Sequence, residues 1–208
     1  VPEAPTSCAD LKKPEYQGLI TIKNPSKSGT GQAMLFSVAA ALGSGPTDLD
    51  TAIEYFKEIS KAGQFNRFGY SAASFERGET PIVLFYDYVN LQTAKLAEDK
   101  GIEASVTIPS EGGVWSPSAI MCNKRTKDPD LAKLTLDHAL SDEGQLVFAS
   151  AGARPIRYVL DDLEVPADIK ATWLPEAQYE NVVEFPVDQW PDPVVVGERW
   201  EREVVGGG

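Results

Sequence analysis

Residues 18–42 read GLITIKNPSKSGTGQAMLFSVAAAL, and the parsing of this stretch decides the fold. Ile20, Thr21 and Ile22 follow Gly18, and their branched Cβ atoms suit an extended chain, so a strand is predicted over 18–24. Asn24-Pro25 stops it. A Ser/Gly/Thr loop follows. Over 32–42 the chain is Ala-rich and apolar almost all round, which predicts a buried helix. Gly43-Ser44-Gly45-Pro46 ends that helix. Strand, polar loop and buried helix together form the first part of an α/β unit.

The same alternation continues on both sides. Upstream, residues 1–17 give an extended entry and a short helical turn that Ser7 can cap. Downstream, a helix is predicted to run to Lys61, with Thr47 or Asp48 as its cap and Ile53, Phe56 and Ile59 as a 3–4-spaced stripe. A short strand over 65–69 and a brief helix over 71–77 come next. PIVLFYDY, residues 81–88, reads as a central strand buried on both faces. A helix over 89–100 and a strand over 103–109 complete the series, so the expected class is an α/β layer architecture. Beyond the Glu111-Gly112-Gly113 turn an extended segment leads to Asp128-Pro129, a strong helix start on whose inner stripe Leu131, Leu134 and His138 fall. Ser141 and Gly144 mark a break before a second short helix, and residues 152–157 read as a loop. Residues 161–193 are rich in Pro, Trp and acids without a period, which predicts surface turns. A last helical turn or two is expected over 198–204. Gly206-Gly207-Gly208 reads as a linker remnant.

Composition narrows the function. The 208 residues hold 31 acidic and 19 basic side chains, a net charge of −12. With 42% hydrophobic and 24% charged residues this is an ordinary globular chain. A sequence pI near 4.5 leaves no basic stripe to neutralise phosphates, so no nucleic-acid partner is expected. No apolar run approaches the ~20 residues that span a bilayer, so no direct membrane insertion is expected either. Val1 opens straight into VPEAP without a signal peptide, which suggests a mature, truncated or non-exported chain. Cys8 and Cys122 form neither a metal motif nor a disulfide framework and read as two separate thiols. The one histidine, His138, reads as a core residue.

Chemistry concentrates in two places. At SKSGTG a helix begins where its first N–H groups have no intrahelical acceptor and the macrodipole is positive. Ser28, Gly29, Thr30 and Gly31 thus form a seat for a carboxylate, phosphate or phosphonate, and the alternative is that Ser28 or Thr30 only caps the helix. It is not a Walker loop, because no GK[ST] follows. At FYDYVN, Tyr86, Asp87 and Tyr88 follow a strand at the carboxyl end, where α/β sheets place ligands. Asp87 can accept from an ammonium group between tyrosine walls, or it can merely cap the next helix. Trp115 can stack on a ligand or cover the core. Arg67, Arg154 and Arg157 can clamp anions, although the latter two suit the acidic tail better. No nucleophile–base pattern, metal spacing or dinucleotide fingerprint occurs, so no catalytic residue, metal or cofactor is expected.

The ordered set of segments resembles the type 2 periplasmic binding proteins of ABC importers, in the subgroup that takes ferric iron, thiamine, polyamines and aminoalkylphosphonates. Asp10-Leu11, the segment 16–20 and the segment 25–31 are similar to that family's acidic-Leu helix, its "YKGKI" strand and its "P-x-x-SGTG" helix start. RGETPIVLFYDY is similar to a "GE-x-x-I" strand and "DY" loop, KDPDLAKLTLDHALSDEGQ to a C-terminal helix pair, and GARPIR to a "GYRPVR" turn. Cys8 stands where that pattern has Trp, and His138 where it has a core aromatic. The resemblance implies two α/β lobes closing on a ligand, with residues 1–115 as a complete second lobe and 116–205 as a crossover and the C-terminal part of the first. The N-terminal part of the first lobe is then absent, as in a fragment or a split, rearranged or sensor-type chain, and a complementary chain is one source for it. The resemblance further implies non-catalytic binding of a small molecule for delivery to ABC importer membrane subunits, in the periplasm or outside the cell. Tyr86 and Tyr88 are separated by Asp87, which disfavours iron. An anion seat at 28–31 with an acid at Asp87 suits a zwitterion of the ω-amino acid or aminoalkylphosphonate type. Ferric iron, polyamine and thiamine remain the alternatives.

Overall fold

The computed structural model describes residues 1, 3–115 and 117–206. Gly207 and Gly208 of the glycine tail, and Ser116 at the expected crossover, lie outside them. The chain divides into two compact units, residues 1–116 with 175–208, and residues 117–174.

The first unit carries two small parallel sheets. Strand β1 (Ile20–Thr21) pairs with β2 (Ile82–Val83) in the register Ile20 to Ile82. A parallel bridge from Ile20 to Phe65 lies on the other side of β1. Helix α1 (Gly29–Leu42) follows β1, α2 (Leu49–Lys61) and the short α3 (Ala72–Glu76) follow in turn, and α4 (Asp87–Glu98) follows β2. The second sheet pairs β3 (Gly113–Trp115) with β4 (Val182–Glu184). Helix α1 is buried at Ala33, Leu35, Phe36, Val38 and Ala39, as its all-round apolar composition predicts. The core is completed by Ile53, Phe56 and Ile59 of α2 and by aromatic rings from distant segments. Phe36 meets Phe185 edge-on at 5.2 Å, and Phe56 meets Trp200 at 5.6 Å.

Several expectations change here. The strand over 18–24 shortens to two residues because Gly18 and Leu19 spend their amides on the carbonyls of Gly63 and Tyr16. The run 81–88 is not a strand buried on both faces. Only Ile82 and Val83 pair, Ile82 alone is fully buried, and helix α4 already begins at Asp87. No strand forms over 103–109. Burial alternates there as in a strand, but the Ile108 amide donates to the Gln178 side chain at 2.9 Å rather than to a ladder. Over 65–69 only the Phe65 bridge forms. The tail holds a strand, β4, which the sequence pattern did not disclose. Gly112 has a positive φ of 99°, and a Cβ there would lie 2.0 Å from the Asn181 carbonyl oxygen, so only glycine lets β3 approach the segment entering β4.

The second unit consists of α5 (Pro129–Leu140), α6 (Asp142–Ser150), α7 (Ile156–Val159) and α8 (Ala167–Lys170). Asp128 caps α5 through the Leu131 amide, and Ser141 caps α6 through Gly144, as the sequence signals predict. Its core is small: Ala149, Val165 and Trp173 are buried. Helix α7 begins at Ile156, within the last two residues of the stretch expected to be a loop, and runs on to Val159. Arg157 holds Asp142 and Asp162, as the acidic tail suggests, while the Arg154 guanidinium lies over Trp173. His138 is exposed, not a core residue, and the stripe it shares with Leu131 and Leu134 faces outward, Leu134 at 64% exposure.

In the first unit the chain finishes with α9 (Pro193–Trp200), which continues as a π-helical turn over Glu201–Val205. This element starts five residues earlier than expected, at an Asp192-Pro193 pair of the same kind that opens α5.

Candidate functional site

Parallel pairing fixes where the candidate residues fall. Because β1 and β2 run side by side in the same direction, the segments leaving them emerge at the same edge. Helix α1 starts there after β1, and α4 starts there after β2. The Phe65 bridge is parallel too, so Arg67 leaves by this edge as well. Ser28 to Gly31, Tyr86 to Tyr88 and Arg67 are thus gathered at one carboxyl edge. A contact joins the first two loops directly, because the Lys23 ammonium lies 5.6 Å from the centre of the Phe85 ring. Trp115 belongs to the other sheet, where it stands opposite Glu184 and is half-buried.

The start of α1 combines a cap with an open approach. Ser28 is the N-cap and its Oγ accepts from the Gly31 amide at 3.5 Å, so the capping alternative holds for this side chain. The amides of Gly29 and Thr30 have no acceptor among the described residues. The two glycines differ sharply. A Cβ on Gly31 would lie 2.5 Å from the Lys23 carbonyl oxygen, so this glycine allows helix and strand exit to touch. A Cβ on Gly29 would meet nothing within 4 Å, so the exposed side of the helix start is open. Such a start attracts negative charge by its aligned N–H groups and dipole.

The start of α4 is built differently from the alternative in which Asp87 caps it. Tyr86 is the N-cap, and Asp87 is the first helical residue. Its carboxylate accepts from the Tyr179 hydroxyl at 2.6 Å. The Tyr86 and Tyr88 rings lie parallel with centres 5.8 Å apart. Burial, with Tyr86 and Asp87 close by, pushes the Tyr88 phenol above its usual range. Tyr70, Phe85 and Tyr86 extend this aromatic surface, with successive ring centres 5.4 and 5.7 Å apart. Arg67 is exposed and lies over its neighbour Phe68.

Sequence reasoning missed three contributors. Lys23 and Tyr179 are two, and the third is the C-terminal helix. A groove of about 980 Å³ runs beside the α1 start, lined among others by Ser26, Ser28, Gly29, Gly197, Glu198 and Glu201. Only the Asp192-Pro193 pair could have signalled that a helix begins there.

Cys8 and Cys122 are both free. Cys8 is buried, and burial pushes its thiol up to about 12, while Cys122 is exposed.

Residues 1–181 match the family described as bacterial extracellular solute-binding protein. The chain belongs to this family. It is 27% identical over 149 residues to an uncharacterised protein of Haemophilus influenzae, a match covering 70% of this chain and 40% of that one. Among solved structures it is similar to the periplasmic binding protein AfuA of Actinobacillus pleuropneumoniae, solved with exogenous fructose-6-phosphate bound. That match has a TM-score of 0.64 and 22% identity, over 98% of this chain and 61% of AfuA. The periplasmic binding protein P5PA gives a TM-score of 0.70 at 20% identity over 97% of this chain and 61% of its own. An ABC transporter structure from Clostridium perfringens gives 0.60 at 20% identity, over 97% and 63%. The fold is therefore the α/β fold of the type 2 periplasmic binding proteins, present here in part. The chain spans two-fifths of the curated relative and about three-fifths of each of these structures. No helix among the described residues is long and apolar enough to cross a membrane.

Proposed function

We propose that this chain is the ligand-holding part of a non-catalytic solute receptor, which takes up a small anionic or zwitterionic molecule and passes it to the membrane subunits of an ABC importer. The observation that carries this reading is the pair of helix starts at one edge of a parallel sheet, with the Gly29 and Thr30 amides unpaired and Gly29 open. The solute's carboxylate, phosphate or phosphonate sits at residues 28–31. Its opposite pole lies toward Tyr86, Asp87 and Tyr88, with Arg67 at the rim and Trp115 as a stacking wall. The lobe assignment goes with it: residues 1–115 as the second lobe, and 116–205 as crossover and first-lobe segment. Membership of an extracellular solute-binding family supports a periplasmic or extracellular setting. AfuA binds a sugar phosphate, which supports the anionic pole. The ω-amino acids and aminoalkylphosphonates stand as the finer choice because Asp87 can face an amine.

Titration calorimetry tests the reading with fructose-6-phosphate, 2-aminoethylphosphonate, β-alanine and inorganic phosphate. The expected result is saturable binding of at least one, without turnover, and a rise in melting temperature with ligand concentration, the stabilisation following RT ln(1 + [L]/Kd). Chemical conversion of a bound compound, or no binding of any of the four at millimolar concentration, overturns it.

A further inference from the structure

The loop that presents the α1 start is held from the far end of the chain. Gln32, one turn into α1 and buried, donates from Nε2 to the carbonyl of Pro25 at 3.1 Å and to that of Pro193 at 3.1 Å. Glu201 Oε1 accepts from Ser26 Oγ at 2.5 Å and from Asn24 Nδ2 at 3.0 Å. Asn24 Oδ1 in turn accepts from the Ser26 amide at 2.8 Å and lies 2.8 Å from the same hydroxyl, whose single proton it shares with Glu201. Gly197 lies so close to this loop that a Cβ there would stand 3.0 Å from Ser26 Cα. The bonds from Ser26 and Asn24 hold the Glu201 carboxyl below its usual range, so it carries a full negative charge at neutral pH. Four charged side chains line the groove beside Ser28 and Gly29: Lys27, Glu198, Glu201 and Arg202.

We infer that Glu201 is a positioning and selectivity residue for the anion seat, a role that rests on reading the α1 start as the place where the solute's acid end binds. As an acceptor, its carboxylate ties residues 24–26 in place and so fixes the direction of the Gly29 and Thr30 amides. As a charge, with Glu198 it offsets Lys27 and Arg202 in the same groove, which lowers the preference the seat would otherwise have for a compact dianion over a singly charged acid group or a zwitterion. The two roles separate chemically. Glutamine keeps an oxygen that can accept from both Ser26 and Asn24 but drops the charge, whereas alanine loses both.

The test follows the amide resonances of Gly29, Thr30 and Gly31 by NMR in the full chain while sulfate or acetate is titrated, together with hydrogen exchange over residues 24–31. Glu201→Gln is expected to keep the exchange rates, to raise sulfate affinity about fivefold and to raise acetate affinity only about twofold, because the Coulomb energy scales with the charge of the anion. Glu201→Ala is expected to speed exchange over 24–31 at least tenfold and to weaken both anions. Ser26→Ala, which leaves the charge, should speed exchange in the same direction with less effect on selectivity. Unchanged exchange in Glu201→Ala and Ser26→Ala overturns the positioning role. Equal gains for sulfate and acetate in Glu201→Gln overturn the selectivity role. If neither anion shifts the three amides in any variant, the anion seat itself fails, while the exchange comparison still decides whether Glu201 holds the loop.

Discussion

In the proposed site the Thr30 amide is a donor to the solute, so replacing Thr30 by proline removes that donor while keeping a residue that the first turn of a helix tolerates. Thr30→Pro is therefore expected to weaken anion binding about tenfold with the helical circular dichroism unchanged, and retained affinity would remove residues 28–31 from the site. Asp87 faces the Tyr179 hydroxyl, so its charge and its hydrogen bond are tested apart. Asp87→Asn should lower the affinity for 2-aminoethylphosphonate and spare inorganic phosphate, whereas Tyr179→Phe should affect the two alike. Equal losses in Asp87→Asn would make this carboxylate purely structural. The thiols behave oppositely. Cys122 is exposed and should react with a thiol reagent within minutes, while Cys8, buried and with its thiol pushed up to about 12, should react only after unfolding in guanidinium. Two fast-reacting thiols in the native protein would contradict the packing around Cys8.

At the scale of elements, caps and close approaches set the geometry. Gly31→Ala places a methyl group against the Lys23 carbonyl, and helix α1 must back away from β1. A loss of about 1–3 kcal/mol is expected in a urea titration, and an unchanged midpoint would mean the contact is looser than described. Asp48 caps α2, and hydrogen bonds from Ser44 and Thr51 lower its carboxyl to about 2. The folded value lies below the unfolded one, so this cap supports the fold fully above pH 4 and is lost as the pH falls toward 2. Asp48→Asn should flatten the acid limb of the pH–stability profile, and an identical limb in the variant would refute the linkage.

Legibility in the sequence followed the range of the interactions. The helix starts at Asp48, Asp128 and Ser141 were readable because a cap, the amide that donates to it and the first turn lie within four residues. The start of α1 was readable for the same reason. What was not readable depends on partners far along the chain. Residues 103–109 alternate like a strand, yet whether they pair depends on Gln178, some 70 positions away. Asp87 looked like a cap because Tyr179 cannot be placed beside it from sequence. His138 shares a periodic stripe with Leu131 and Leu134, and periodicity gives a face without saying what covers it.

For the whole molecule, the two units have unequal cores. The first buries Phe36, Phe56, Phe185 and Trp200 together with two helices, whereas the second gathers an apolar cluster of Ala149, Val165 and Trp173. Amides of α5 are accordingly expected to exchange faster than those of α1 and α2, and uniform protection across both units would show a single cooperative core. Order along the chain matters as well. Gln32 and Asn24 find their partners Pro193 and Glu201 at separations of 161 and 177 residues. Contacts of that span close late, because the intervening loop entropy must be met first. During synthesis, the segment that carries the helix start waits for these partners until residues 193–201 have left the ribosome. A chain arrested before residue 193 would therefore leave residues 24–32 without the partners that hold them.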